Sequence, residues 1–291
     1  MGANASSGLA TRSSGGVSGP WRLRDERARH CISEQPHAAE LLAFYRQVLS
    51  SQQSVYDDKD IVGQFEYLID AEVHVQPRMA DVRIDRLGEV FENFIATLRA
   101  DAPETTAEIG ATLLQDDPTV VLKWFLGRTD QVQPAWHQYS RIQLEFYPRA
   151  FLQPVFTTIG ERIDPKDVPA NGTQCPICSE PPQLSILRDE PDAKGQRRLL
   201  CSLCSIAWRF PRITCARCME SAAEKLFRHE NDANPHVTVE ECASCRYYLK
   251  SIDLRKDGRA EPIVDEIATV ELDLWAQERE LTKIRANILG L

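Results

Sequence analysis

From Pro36 to about Gly160 apolar residues recur every three or four positions, the period of a helix that packs one face on a core. Leu41, Leu42, Tyr45, Val48 and Leu49 mark a first helix, with Pro36 placed where a first helical turn tolerates proline. The spacing predicts a second helix over Ile61 to about Val73. A third runs over Met79 to Arg99, with Val82, Leu87, Phe91, Phe94, Ile95 and Leu98 on one face. Pro103 and Pro118 open two more. In the latter, Val121, Leu122, Trp124 and Phe125 make the segment apolar all round, which predicts burial. A longer stretch from Pro134 carries Trp136, Tyr139, Ile142, Leu144, Phe146 and Tyr147, and Pro148 and Pro154 are expected to kink or divide it. With no strand alternation and no Gly-rich phosphate loop, residues 30–162 read as a helical bundle domain.

The period then changes. Pro165, Pro169 and Asn171-Gly172 mark a linker and turn between Ile163 and Thr173. Beyond it, Gln183–Leu187 and Arg197–Leu200 suit short antiparallel strands joined by a turn at Asp192–Gly195. Ala222–His229 and Val237–Glu241 suit a similar pair. Helical spacing returns through Ile263, Ile267, Val270, Leu274, Leu281, Ile284 and Ile288, with a polar break near Gln277-Glu278. This face is expected to pack back on the bundle or the ribbons. The expected fold class is α+β: a Gly/Ser-rich disordered tail over 1–29, an N-terminal all-helical domain over 30–162, two tandem ribbons over 172–212 and 213–256, and a C-terminal helix over 262–291.

Cysteine spacing changes the picture most. Eight of the nine cysteines form four C-x-x-C pairs: Cys175/Cys178, Cys201/Cys204, Cys215/Cys218 and Cys242/Cys245. The gaps between pairs are long, short, long, so the pattern reads as one unit made twice. Two thiolates three positions apart can share one tight turn at the ~3.8 Å sulfur spacing of a tetrahedron with ~2.3 Å metal–sulfur bonds. Two such turns facing each other complete a four-thiolate site, a recognised metal signature. The eight cysteines are therefore the candidate ligands of two metal ions. Spacing does not choose between zinc and iron, because a tetrahedral four-sulfur site takes either. Ser179, Ser205, Met219 and Arg246 stand where such turns often carry glycine, so less standard hydrogen bonding to sulfur is expected. A dithiol redox centre competes, but such motifs normally stand singly at a helix N-terminus after a strand, a context absent here.

Charge narrows the classes further. A formal net charge of −9, to which two thiolate-bound divalent ions would add further negative charge, gives no general attraction for nucleic acid or anionic membranes. Arg197, Arg198, Arg209, Arg212 and Arg217, interleaved with Trp208 and Phe210, surround the central pairs, yet residues 171–250 carry 11 basic and 10 acidic side chains. Neutralising the thiolate sites and docking an acidic partner fit that balance better than nucleic acid. His229 and His236 read as solvent-facing loop residues, His74 and His137 as ordinary helix positions, and the His30-Cys31 pair as structural. No paired carboxylates, Ser-His-Asp order or open metal site is visible, so no enzymatic role is expected. Neither a signal peptide nor a stretch of ~18 apolar residues is present, and unbridged thiols at metal spacing point to the reducing cytoplasm.

The cysteine region resembles the formate dehydrogenase accessory protein (FdhE) family. Carrying the resemblance are Cys175-Pro-Ile-Cys178 followed by Pro181, and Gly195-Gln-Arg197-Arg-Leu199-Leu-Cys201-Ser202-Leu-Cys204. So do Trp208, Arg212, Cys215 and Cys218, then Glu241-Cys242 to Cys245 with Tyr248-Leu249-Lys250, and the closing Leu272-Asp-Leu-Trp275 and Asn287-Ile-Leu-Gly290. The similarity is specific over about residues 172–290. It implies a cytoplasmic accessory protein with two rubredoxin-like ribbons behind a helical domain. It further implies iron at the eight cysteines, a partner in the catalytic subunit of a formate dehydrogenase, and a role in making that enzyme active. The alternative is a rubredoxin-like electron or thiol carrier acting on the same oxidoreductase.

Overall fold

The computed structural model describes residues 19–64, 83–84, 86–162 and 172–291. The chain enters through α1 (Pro20–Glu34), which buries Trp21, Arg24, Ala28 and Cys31 against α2 (Ala39–Asp57). Helix therefore begins inside the tail expected over 1–29. Pro20 opens it, and Trp21 anchors it despite the polar composition around it. The short α3 (Lys59–Gly63) follows, and the rest of the predicted Ile61–Val73 helix, with His74, lies outside the described residues. Then come α4 (Gly88–Arg99), α5 (Glu104–Leu113) and α6 (Pro118–Phe125). The third helix thus starts later than its apolar spacing predicts.

These helices surround α7 (Arg141–Glu161), whose residues from Leu144 to Thr157 are all buried. Its apolar positions pack on the other helices, and Glu145, Arg149 and Gln153 form a buried polar row four residues apart. Ser140 and Gln143 close its start as a reciprocal capping box. The helix runs unbroken through Pro148 and Pro154, against the expected kink or division. Proline at 154 removes the N–H that would bond the Ala150 carbonyl, and the buried Gln52 side chain on α2 donates to that carbonyl instead, at 3.0 Å. Packing on all sides outweighs the ~3 kcal/mol that proline costs in a helix interior.

A sheet forms the second layer. Its strands are β1 (Pro182–Glu190), β2 (Ala193–Cys201), β3 (Ala207–Arg209), β4 (Leu226–Glu230), β5 (Val237–Cys242) and β6 (Tyr247–Asp253), in the spatial order β3-β2-β1-β6-β5-β4. Each half has one plan: a C-x-x-C turn, an antiparallel hairpin, a second C-x-x-C turn and a third antiparallel strand. The halves join where β1 and β6 pair in parallel, from Leu184↔Lys250 to Leu187↔Asp253. The unit repeats head to tail, leaving β3 and β4 at the two edges. The β1–β2 turn is tighter than expected, since Glu190 already pairs with Ala193.

The expected C-terminal helix is two short ones, α8 (Pro262–Ala268) and α9 (Val270–Glu278), after which the chain adds β7 (Thr282–Lys283) alongside β6. Helix ends at the polar break, so Leu281 and Ile288 reach the interior from non-helical backbone. Under these helices the fully buried Lys250 meets Glu266 at 3.2 Å and Asp273 at 2.6 Å, and Lys283 meets Asp273 at 2.8 Å. Two cations and two carboxylates balance, as burial of charge requires. One apolar core runs from the helices into the first cysteine unit, and α8 bridges α1 and α2 to the sheet.

Candidate metal centres

The fold gathers the four cysteine pairs into two groups. Cys175, Cys178, Cys201 and Cys204 form one; Cys215, Cys218, Cys242 and Cys245 form the other. Within each, all sulfurs lie within 4.8 Å of one another. In the first group the Cys175–Cys204 and Cys178–Cys201 sulfurs are 3.4 and 3.3 Å apart, and Cys178–Cys204 are 3.8 Å apart. In the second, Cys215–Cys245 and Cys218–Cys242 are both 3.7 Å apart. These separations far exceed the ~2.0 Å of a disulfide and match the ~3.8 Å edge of a metal–thiolate tetrahedron.

Local backbone makes the geometry. Ser179, Ser205, Met219 and Arg246, each directly after the second cysteine of a pair, take positive φ of 63°, 56°, 63° and 62°. This conformation costs a non-glycine residue roughly 1–2 kcal/mol. The turns are nonetheless regular. Ser179, Met219 and Arg246 donate N–H groups to the carbonyls of Cys175, Cys215 and Cys242 at 2.9, 3.1 and 2.8 Å. Backbone N–H groups also point at sulfur, from Ile177 to Cys175 (3.4 Å), Leu203 to Cys201 (3.3 Å) and Arg217 to Cys215 (3.3 Å). The hydrogen bonding to sulfur is thus more regular than the absent glycines imply.

Chemistry tests the fit to a cation. Burial pushes the Cys201 and Cys204 thiols well up, while hydrogen bonds from Cys178, Cys201 and Cys204 pull Cys175 down. Four buried sulfurs at this spacing are unable to ionise together unless a positive charge sits among them, and a divalent ion supplies it. Each group could therefore hold one metal ion. All four corners of each are sulfur.

The two groups sit in different surroundings. The first is wholly buried and seated on α7. There Arg149 donates to Ser202 Oγ and to Glu180, each at 3.3 Å, Gln153 donates to the Ser202 carbonyl at 3.1 Å, and Gly160 lies against the Cys204 carbonyl. From α1, Arg24 reaches Ser205 Oγ at 3.2 Å. Sequence spacing gave no sign of these supports, which come from helices far away in the chain. In the second group Cys218 is exposed and Cys245 half-buried. Beside it opens a largely apolar cavity of about 220 Å³, walled by Cys215, Cys242, Leu226, Tyr247 and Leu249.

Other candidates resolve differently. Arg197, Arg198 and Arg209 bind carboxylates, at Glu240 (2.5 Å), Glu190 (2.5 Å), and Glu190 and Asp192 (2.7 Å each), so they do not neutralise thiolates. Among the described residues Arg212 and Arg217 meet no carboxylate. Both are exposed, and Arg217 lies over the Tyr247 ring at 5.2 Å. Neither His229 nor His236 is a solvent-facing loop residue. His236 is buried and hydrogen-bonded to Asp265 at 2.8 Å. His229, on β4, lies 2.8 Å from Glu241, with its ring centre 4.6 Å from that of Trp275 and tilted to it by 55°. His137 is exposed. Cys31 lies apart from both groups, and burial, with the Asp265 charge adding to it, pushes its thiol up to about 11. Among the described residues no helix is long and apolar enough to cross a membrane.

Comparison with known proteins follows this anatomy. Residues 174–212 match the family description "FdhE, central domain" and residues 213–289 match "FdhE, C-terminal domain", the boundary falling between the two cysteine units. A "Protein FdhE homolog" of Aquifex aeolicus is 34% identical over 147 residues, which is 50% of this chain and 52% of that protein. A namesake in Stutzerimonas stutzeri is 26% identical over 92% of this chain and 88% of its own length. The chain thus spans about half the length of the first of these relatives. The crystal structure of the FdhE protein from Pseudomonas aeruginosa superposes with a TM-score of 0.68 at 22% identity, over 92% of this chain and 94% of that one, so the whole architecture is shared.

Proposed function

We propose that this chain, whose residues 174–289 match the central and C-terminal domains of FdhE and whose fold is that of an FdhE protein, is an accessory protein needed for formate dehydrogenase activity. In this reading it is not a catalyst. It binds the catalytic subunit of the enzyme in the cytoplasm, and its cysteine units form the rigid body that does so. Cys175, Cys178, Cys201, Cys204, Cys215, Cys218, Cys242 and Cys245 hold two metal ions, iron by family resemblance and zinc as the other candidate. The ions' contribution is to cross-link the turns and balance the thiolate charge.

The observation that carries this reading is that each group gathers four sulfurs within 4.8 Å of one another, so that sulfur would fill all four corners around a bound ion and leave no position for a substrate or activated water. Purification of the tagged full chain under anaerobic conditions tests it. Co-purification of the catalytic subunit with about two metal ions per chain is the expected result. A chain that retains its metal and ignores the subunit overturns it. The exposure of Cys218 favours one second reading, an electron carrier at the second site. Reversible bleaching of a visible ferric–thiolate band by a physiological reductant supports that reading, and a colourless zinc protein eliminates it.

A further inference from the structure

The second cysteine unit repeats the first strand for strand, and the repeat shows what its open edge is built to accept. β4 stands in its unit where β1 stands in the first: directly after a C-x-x-C turn, as the first strand of the hairpin. The outer edge of β1 takes β6 in parallel. The corresponding edge of β4 takes no strand among the described residues, although the head-to-tail arrangement leaves it available in the same sense. An unpaired edge presents a row of backbone donors and acceptors to any extended chain.

Side chains around this edge give it a chemical preference. Leu226, Phe227 and Arg228 of β4 line the 220 Å³ cavity beside the second cysteine group, and Ile213 lines it from the preceding turn. Phe227 and Ile213 are 44% and 60% exposed, high values for large apolar side chains. The charges that lack a carboxylate partner here are positive. Arg212 and Arg228 are exposed at the cavity, and among the described residues Arg228 donates only to Thr238 Oγ1, at 3.2 Å. The acidic residues of the same wall are taken, Glu240 by Arg197 and Glu241 by His229 and Arg246. An occupant is thus asked for an extended backbone, one large apolar side chain for the cavity and carboxylates for the two arginines.

We propose that the free edge of β4 and the adjoining cavity form the docking site for an extended acidic segment of the partner protein, which lies alongside β4 as β6 lies alongside β1. This rests on the preceding functional reading and deepens it by locating the contact. The first cysteine unit, whose equivalent edge is filled by β6, plays no direct part.

Binding of the purified formate dehydrogenase catalytic subunit to the full metal-loaded chain, followed by biolayer interferometry, tests the proposal. The expected result is a Kd weakened at least tenfold in R212E/R228E and in F227E, with metal content and circular dichroism unchanged. Wild-type affinity should fall as salt rises, and I142E, in the exposed first turn of α7, should bind as wild type does. Wild-type affinity in both β4-edge variants overturns this docking site and leaves the accessory function standing. Failure of the wild-type chain to bind the subunit overturns the functional reading and this site with it. A concentration-dependent dimer in sedimentation that the same substitutions abolish also overturns the proposal, because the edge then serves a second copy of this chain.

Discussion

The two cysteine groups share a four-sulfur make-up, turn geometry and strand plan, yet they occupy opposite situations. In the first, Cys201 and Cys204 are 1% exposed, the group belongs to the main apolar core, and α1 and α7 hold its second turn. In the second, Cys218 is open to solvent, and an exposed apolar and basic surface adjoins it. Identical local chemistry therefore has different leverage. Disturbing the first group disturbs the seat of the helices, while disturbing the second alters a rim. The inner copy acts as a keystone and the outer one is free to meet other molecules.

Removing sulfur pairs breaks this comparison most forcefully. C201S/C204S should lose one metal ion and most of the cooperative thermal transition, because a structural metal site contributes roughly 10–16 kcal/mol in small zinc peptides and this one also anchors α7. C215S/C218S should lose one ion but keep the helical transition in far-UV circular dichroism. Equal collapse of both variants would erase the distinction. Next in size is the seat itself. A Cβ at Gly160 would lie 3.0 Å from the Cys204 carbonyl, so G160A should cost about 1–3 kcal/mol in urea titration. G63A, where nothing lies within 4 Å, should be neutral or stabilising by up to ~1 kcal/mol.

Reactivity sharpens the contrast with less energy at stake. In the folded, metal-loaded chain, iodoacetamide should modify Cys218 at least ~10-fold faster than Cys201 or Cys204, as mass spectrometry of quenched samples reads out, since access governs thiol chemistry. The smallest effect concerns acid. Arg198 first, with Arg209 and Arg188, pulls the Glu190 carboxyl from the usual 4.5 down to about 2. A carboxyl depressed in the folded state gives stability present above pH 4.5 and lost as pH falls toward 2. E190Q should therefore be less stable than wild type at pH 6, by about 1 kcal/mol or less, with the gap closing as pH drops through that window.

Much of this was legible in the chain, for identifiable reasons. A C-x-x-C turn is set by four adjacent residues, so the way the cysteines gather into two groups could be read from spacing alone. The α2, α5 and α6 helices followed their apolar period and their prolines. What escaped depends on residues distant in sequence. Nothing near Pro154 announces that Gln52 will satisfy the Ala150 carbonyl. The carboxylates that bind Arg197 and Arg209 lie up to 43 residues away, which turned apparent charge neutralisers into structural ion pairs. The left-handed residues after each cysteine pair escaped because composition argues against them. Four side chains that disfavour the conformation are held in it by the turn.

The parallel joint between β1 and β6 carries a consequence for biosynthesis. Emerging from the ribosome N-terminus first, the chain can complete its inner cage once Cys204 is out, but the neighbour that covers β1 arrives only with Tyr247–Asp253. Throughout that interval the nascent chain displays a bare sheet margin, the kind of surface that recruits stray strands. Emergence of Asp253 thus closes the margin of β1, while the outer margin of β4 stays open among the described residues.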